Sequence, residues 1–327
     1  MRTQVLGTGY AVPDRILTNQ ELESMVDTSD EWIITRTGIR ERRICSSDWA
    51  TSDLAHLAAE KAIEDAGIEA GDLDLILVAT VTPDMVFPST ACLLQGRLGA
   101  DKAAAFDISA GCTGFIYALA VADRFLMAGD YRFILVVGAE TLSRITDYTD
   151  RNTCVLFGDG AGAVVVGRGS GPNGILSTYL AADGSGESLL YIPAGGSRMP
   201  ASHQTVDDHL HYIRMQGNEV FRFAVTVIPE CVRKVLEPAG LSIDEVDHFI
   251  FHQANIRILQ TAVKRMKIPW EKTIVNIERY GNMSAACIPL AVAEAVNDGI
   301  IRPGQLLLMV GFGAGMTMGS ALVRWGR

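Results

Sequence analysis

Apolar residues fall into two kinds of run along this chain. One kind is short and continuous: LDLILVAT at 73–80, AAAFDIS at 103–109 and FILVVGAE at 133–140, each bounded by small or turn-forming residues. These predict buried strands. The other kind is apolar all the way round. From about 115 to 127 only Asp123 and Arg124 carry charge, which predicts a central, buried helix. Between strand 103–109 and that helix sits SAGCTG, a glycine-flanked turn placing Cys112 at the mouth of the helix. Elsewhere the pattern predicts a strand at 3–9, a helix around 19–26, and a helix over 51–66 with Asp53 near its start and Gly67 just past its end. TSDEWIITRTGIRERR is an amphipathic segment carrying Trp32, Arg36, Arg40, Arg42 and Arg43. TPDMVFPS is a proline-bounded loop, 88–98 begins another helix, and VLFGDGAGAVVVGRG at 155–169 reads as a hairpin-like strand pair with a glycine-rich bend.

The order repeats. LAVAD at 119–123 returns as LAVAE at 290–294, and ILVVG at 134–138 as LLMVG at 307–311. GDGAG at 158–162 returns as GFGAG at 311–315, and DLDLILVAT at 72–80 is echoed by EVDHFIFHQ at 245–253. Four echoes in one order indicate a duplicated unit. Each half, 1–171 and 172–327, then reads as β-α-β-α-β-α-β-β around its own mostly parallel sheet. The two apolar helices, about 113–128 and 284–297, pack between the sheets in an α/β fold layered α-β-α-β-α. The offset from LAVAD to LAVAE maps Cys112 onto Met283, beside Asn282 in YGNMSAA. His252 ends the strand HFIFH. Because sites in such sheets gather at strand carboxyl ends, Cys112, His252 and Asn282 are expected in one place.

Composition narrows the chemistry. The chain has 327 residues, 48% of them hydrophobic and 20% charged, and suits a globular α/β protein of two halves. Six cysteines without a C-x-x-C pair argue against a disulfide framework and a zinc site. His203, His209 and His211 with Asp207 and Asp208 lack tight ligand spacing and read as a solvated loop, so no metal is expected. The start, MRTQVLGTGY, resembles neither a signal nor a transit peptide, and a cytoplasmic protein without a membrane span is expected. A formal net charge of −10 speaks against nucleic acid and means that an acidic partner must dock on a local basic patch. One such patch is available: 256–267 places Ile256, Leu259, Val263 and Met266 on one helical face and Arg257 and Lys264 on another, with Arg265 and Lys267 nearby. At a helix N-terminus the Cys112 thiol is expected to have a lowered pKa and to serve as a nucleophile.

SAGCTG, FHQAN and YGNMSAA, together with TSDEWIITRTGIRERR, FGDGAGAVV, GNEVF, HQANIRI and the GSALVRWG ending, resemble the thiolase-fold condensing enzymes, most closely the β-ketoacyl-acyl-carrier-protein synthase III family. The resemblance spans the whole chain. It implies a catalytic triad of Cys112, His252 and Asn282. The implied reaction is a decarboxylative condensation of a short acyl-CoA, acetyl-CoA foremost, with malonyl-acyl-carrier protein. It uses no cofactor, since the CoA thioester is a substrate. Elongating relatives carry a second His where Asn282 stands, and thiolases need a second Cys in the last glycine loop, GFGAGMTMG, which has none. That loop has Ala314 where a third glycine is usual; its N–H survives, so the backbone of Cys112 and Ala314 is expected to form the oxyanion hole.

By the same resemblance Thr28, Trp32, Arg36, Arg151, Gly217, Asn218, Phe221 and Asn255 bind CoA. Phe87 reaches across a homodimer interface to close the partner's acyl pocket. Arg222, Gln253, Ala254, Asn255, Ile256, Arg257, Lys264 and Arg265 dock the acidic carrier protein. A synthase of secondary metabolism with another primer or extender is the alternative within the fold. A Cys-His-Asn hydrolase and a non-catalytic acyl-binding protein are the alternatives outside it.

Overall fold

The computed structural model describes residues 1–326; Arg327, the last residue of the second half, lies outside the described residues. The first half opens with β1 (Arg2–Ala11). The short strands β2 (Ile16–Thr18) and β3 (Glu41–Arg43) pair around α1 (Asn19–Glu23) and α2 (Asp30–Thr37). Then come α3 (Thr51–Ala66), β4 (Leu75–Ala79), α4 (Thr90–Leu98), β5 (Ala104–Ile108), α5 (Gly114–Ala128), β6 (Phe133–Thr141), α6 (Arg151–Cys154) and β7 (Asp159–Gly169). The second half runs β8 (Gly174–Ala182), β9 (Leu190–Tyr191), α7 (His203–Asp207), β10 (Arg214–Met215), α8 (Gly217–Ala239), β11 (His248–Phe251), α9 (Ile256–Met266), α10 (Ile277–Tyr280), α11 (Cys287–Asn297), β12 (Leu306–Gly313) and β13 (Thr317–Arg324).

Two sheets carry the architecture, ordered β1-β7-β6-β4-β5 and β8-β13-β12-β11. A parallel bridge from Phe249 to Thr273 stands where a fifth strand of the second sheet would lie. The layering follows from where apolar residues face. β4 and β12 are buried throughout, as their unbroken apolar runs require. Helices α5 and α11 fill the space between the sheets with Phe115, Ile116, Leu119, Ile288 and Val292. Helix α3 covers the outer face of the first sheet, and α8 and α9 cover that of the second. Burying two apolar helices on every side is the main hydrophobic contribution at the centre.

Four expectations need correction. The run at 103–109 does form a strand, β5, but it is an exposed to half-buried edge strand rather than a buried one, because among the described strands only β4 pairs with it. The sheets are mixed: β4 is parallel to β5 and β6, but β7 runs antiparallel to both β1 and β6, and β13 antiparallel to β12 and β8. Residues 155–169 are not a hairpin; 159–169 is a single strand, and Gly158 and Gly160 are needed for close approach rather than a bend. A Cβ on Gly160 would meet the sulfur of Met283 at 2.6 Å. Corresponding elements of the two halves start 173 residues apart, not the 171 of LAVAD and LAVAE. Gly111, which opens the turn before α5, corresponds to Ser284, which opens the turn before α11. The echoes from 72–80 to 245–253 and from 134–138 to 307–311 keep this offset. GDGAG starts β7 whereas GFGAG ends β12, so those two are not equivalent.

Candidate active site

Each expected catalytic side chain is placed by backbone at a strand end or turn. His252 follows β11 directly, with its N–H on Val310 O at 2.8 Å and its ring edge-on to Phe312 at 5.2 Å. The ring is buried and its Nδ1 has no hydrogen-bond partner. Burial pushes the imidazole down to about pKa 3, so it is neutral at physiological pH. Asn282 is pinned across the half boundary, its N–H on Leu156 O at 2.9 Å and its carbonyl accepting from Gly158 N–H at 3.0 Å. Its Oδ1 accepts from Ser284 N–H at 2.9 Å, which leaves the amide NH2 as the donor for the cavity.

Cys112 sits in the turn Gly111–Thr113, where Gly111 takes a left-handed φ of 54°. Gly313 comes so close that a Cβ on it would lie 2.9 Å from the Cys112 sulfur. The thiol is 8% exposed, and here the expectation of a lowered pKa fails. Burial pushes Cys112 up to about 12, against the pull of the Ser284 hydroxyl and the N–H groups of Ala314 and Cys112 itself. Desolvation outweighs the helix terminus because the turn is enclosed from both halves.

Cys112, His252 and Asn282 line one cavity of about 120 Å³, with Phe157, Phe221 and Phe312. Two further spaces adjoin it. An apolar pocket of about 240 Å³, walled by Val81, Leu142, Ile145, Ile192 and Ile213, shares Cys112, Phe157 and Leu190 with the cavity and reaches Ser284 and Ala314. On the other side a surface groove, lined by Trp32, Arg36, Asn218 and Arg257, shares Gly217, Phe221 and Asn255 with it. The Arg151 guanidinium lies 4.8 Å over the Trp32 ring and that of Arg36 5.9 Å from it. Arg151 also donates to Asp27 O at 2.8 Å. Arg151 stands beside the groove through its contact with Trp32, and neither it nor Thr28 is part of the groove wall.

Of the expected docking residues, Arg222, Arg257, Lys264 and Arg265 are exposed, while Ala254, Asn255 and Ile256 are half-buried. Ile256 packs against Gly38, where a Cβ would meet it at 2.6 Å. Gln253 is a correction. It is fully buried, donating to Phe251 O at 2.7 Å and accepting from Asn276 N–H at 3.3 Å, so it braces the loop from within and offers no surface. Phe87 is 83% exposed in the loop Met85–Val86–Phe87, which rules out a core role, and it lines neither cavity of its own chain.

The His203–His211 stretch, expected as a loop, is helix α7 over its first five residues, and it is tied by His209 to Asp147 at 3.1 Å and by His211 to Thr205 at 3.0 Å. Among the described residues no three His, Cys, Asp or Glu side chains gather into a metal-binding group. Sequence reading passed over two polar groups at this site, Ser284 and Glu140. The signal for Glu140 was a lone carboxylate at the carboxyl end of the apolar run FILVVGAE.

The chain has close relatives along its whole length. Residues 106–184 match the family described as 3-Oxoacyl-[acyl-carrier-protein (ACP)] synthase III, and residues 236–325 match its C-terminal counterpart. A β-ketoacyl-[acyl-carrier-protein] synthase III of Syntrophomonas wolfei is 60% identical over 327 residues, covering 100% of this chain and 98% of the relative. The chain belongs to the β-ketoacyl-[acyl-carrier-protein] synthase III family. It is an acyltransferase of fatty acid biosynthesis with the thiolase-like fold. Another synthase III, from Caldanaerobacter subterraneus, is 57% identical over 99% of this chain and 98% of its own length. The crystal structure of the Aquifex aeolicus 3-oxoacyl-[acyl-carrier-protein] synthase III superimposes with a TM-score of 0.92 at 48% identity, covering 99% of this chain and all of that one.

Proposed function

We propose that Cys112, His252 and Asn282 carry out a decarboxylative condensation that joins the acyl group of a short acyl-CoA to malonyl-acyl-carrier protein. The observation that carries this reading is that the three residues share one cavity between an Arg- and Trp-flanked groove and an apolar pocket. The groove suits a nucleotide: two guanidiniums against an indole offer a place for adenine to stack and for phosphates to pair. Gly217, Asn218, Phe221 and Asn255 lead from it toward Cys112 and suit the pantetheine arm, with Thr28 as a further CoA contact.

In the first stage the Cys112 sulfur attacks the thioester carbon, CoA leaves, and the acyl chain lies in the pocket of Leu142, Ile145, Ile192 and Ile213. The tetrahedral oxyanion takes hydrogen bonds from the N–H groups of Cys112 and Ala314, each worth about 3–4 kcal/mol in comparable sites. In the second stage the malonyl thioester oxygen accepts from His252 and the Asn282 NH2. Both donors are neutral, so they stabilise the enolate formed on loss of carbon dioxide without titrating. The enolate carbon attacks the acyl group on Cys112 and releases the 3-ketoacyl product. The chemistry needs no metal or redox cofactor.

Arg222, Arg257, Lys264 and Arg265 form the carrier-protein face beside the groove, on a chain whose net charge is −10. The protein is a cytoplasmic homodimer. The long apolar helix from Gly111 to Ala128 is packed between the sheets, and the exposed Met85, Val86, Phe87 and Phe106 beside the edge strand β5 form the face for a second copy. Phe87 then caps the partner's acyl pocket and limits it to short primers. The halves 1–171 and 172–327 are the units whose junction holds the site. Intact-protein mass spectrometry after incubation with a panel of acyl-CoAs, followed by malonyl-acyl-carrier protein, tests the reading. An adduct on Cys112 that disappears as 3-ketoacyl-carrier protein appears is expected. An adduct that is only hydrolysed, or none with any CoA, rejects it.

A further inference from the structure

Cys112 and Ala314, whose N–H groups the proposed chemistry assigns to the oxyanion, come from opposite halves of the chain, and their spacing has to be fixed by contacts between the halves. Ala314 belongs to the loop Ala314–Gly315–Met316 that joins β12 to β13, with Gly313 paired to Thr317 across its base. The loop backbone is unusual. Gly315 is left-handed at φ 72°, and so is Met316 at φ 44°, although it carries a side chain. A loop strained in this way keeps its shape only where its surroundings over-determine it. On its far side the Asp183 N–H donates to Met316 O at 3.2 Å, and the Met316 side chain is buried against Gly186.

On the Cys112 side the fixing group is one hydroxyl. Thr317 Oγ1 lies 2.9 Å from Ala110 O, 3.1 Å from Ala314 O and 2.9 Å from Thr113 Oγ1. Its single proton serves the two carbonyls, so between the two threonines the Thr113 hydroxyl is the donor. Ala110 precedes the turn that carries Cys112 and Thr113 ends it, while Ala314 carries the second N–H. The same hydroxyl therefore holds backbone on both sides of the oxyanion hole.

The fit is steric as well as polar. Gly311 and Gly319 face each other in the β12–β13 ladder. A Cβ on either would press on the Thr113 methyl, at 3.3 Å from Gly311 and 3.1 Å from Gly319. The Thr113 side chain is thus seated over a pair of glycines, fully buried, with its hydroxyl on Thr317. At the other end of the turn, a Cβ on Gly111 would lie 3.0 Å from Ala314 N. Neither threonine lines the catalytic cavity or the apolar pocket.

We propose that Thr317, braced by Thr113, sets the spacing and aim of the Cys112 and Ala314 N–H groups and so determines how well the hole receives the oxyanion. Both threonines are positioning residues, acting through backbone and touching no substrate atom. Without the Thr317 hydroxyl the Ala314 carbonyl loses its tie to the Cys112 turn, and the strained loop relaxes at the expense of its N–H direction. A donor aimed at developing charge loses much of its value when it is displaced. The inference rests on the proposed acylation of Cys112 with those two N–H groups as oxyanion donors.

The test compares wild type, Thr317→Val, Thr317→Ser, Thr113→Val and the double valine variant in two half-reactions. One is single-turnover acetylation of Cys112, followed by intact mass over a range of acetyl-CoA concentrations. The other is carbon dioxide release from malonyl-acyl-carrier protein without acyl-CoA, the step assigned to His252 and Asn282. Valine has the shape of threonine without the hydroxyl. Thr317→Val should lower the maximal acetylation rate by roughly 10–100-fold and leave the half-saturating acetyl-CoA concentration little changed, a smaller loss than deleting a donor outright. Thr317→Ser keeps the hydroxyl and should recover most of the rate. Thr113→Val should fall between wild type and Thr317→Val, and should cost less when added to Thr317→Val than alone, because the two hydroxyls act as one unit. Carbon dioxide release should stay near the wild-type rate throughout. An undiminished acetylation rate in Thr317→Val overturns the inference while leaving Cys112 as nucleophile. So does a Thr317→Ser as slow as Thr317→Val, or a parallel fall of both half-reactions, which would mean general loosening. A wild type that takes no acetyl on Cys112 overturns the proposed chemistry and this inference with it. Thr113→Val carries the test alone if Thr317→Val does not fold.

Discussion

Two turns of this molecule are built alike and used differently. Gly111–Thr113 leads into α5 and Ser284–Ala286 into α11, each a single tight turn whose first residue has a positive φ, 54° and 46°. Each is approached by a glycine of the neighbouring strand, Gly311 against Thr113 and Gly138 against Ala285. At the apex one turn carries Cys112 and the other Ala285. The difference lies in what stands opposite. Beside Cys112 the end of β12 supplies Gly313, and the absence of a side chain leaves room for substrate. At the equivalent point of the first half, the end of β6 supplies Glu140, which fills the space together with Thr80 and Thr82. Duplication produced the frame twice, and a glycine-for-carboxylate difference made one copy a cavity and the other a solid support.

The largest test of that contrast is Cys112→Ser. It should reduce acyl transfer by on the order of 10⁴-fold or more, measured as burst amplitude and rate, because the open turn has no second nucleophile. Next is Asn282→Ala. It should leave acylation of Cys112 intact and lower condensation by roughly 10²–10³-fold, as loss of one oxyanion donor does. If acylation alone were blocked, the roles assigned to the two turns would be wrong.

The filled turn is better probed by stability. The Glu140 pKa is raised from 4.5 to about 7 on folding, so the native state holds its proton more tightly and unfolding free energy falls as pH rises through that window. Glu140→Gln cannot ionise, and relative to wild type it should gain about 3 kcal/mol between the bottom and the top of the window. His252 titrates in the opposite sense but is common to both proteins and cancels. Urea titrations at the two ends would show it, and a pH-independent difference would remove the buried charge from the account. The smallest effect compares the two glycines. Gly138→Ala drives a Cβ into the Ala285 carbonyl, whereas Gly311→Ala meets Thr113 Cα at 3.0 Å, so Gly138→Ala should cost the more of two penalties of about 1–3 kcal/mol. Equal melting temperatures would mean that the backbone at the two sites yields alike.

The sequence was most legible where one physical demand dominates. Unbroken apolar runs marked β4 and β6, the echo of the β6 run marked β12, and all-round apolar character marked α5, because burial leaves little room for another reading. The convergence of Cys112, His252 and Asn282 was legible because strand ends and duplicated turns constrain backbone positions. Whatever depended on three-dimensional enclosure was not. The Cys112 thiol was expected to be acidified by its helix, but enclosure by Gly313 and the second turn is invisible in the letters around it. Gln253 sits among residues of the surface patch, yet its side chain turns inward to satisfy the carbonyl of Phe251. The strand direction of β7 was missed because alternating glycines and valines at 159–169 suit a bend as well as a strand packed against small-residue partners. LAVAD and LAVAE misled by two residues, since small apolar letters recur on any buried helix.

The ends of the two sheets differ as well. In the first, β5 is a complete strand with Phe106 and Ala104 toward the outside; in the second, the same place is held by the single bridge at Thr273. At the opposite ends, β1 and β8 lie against each other inside the chain. The first sheet therefore keeps an unpaired edge at the five-residue strand β5. A second copy pairing there about a twofold axis would use that edge on both copies, so strand addition at β5 would stop at two copies instead of running on into a filament.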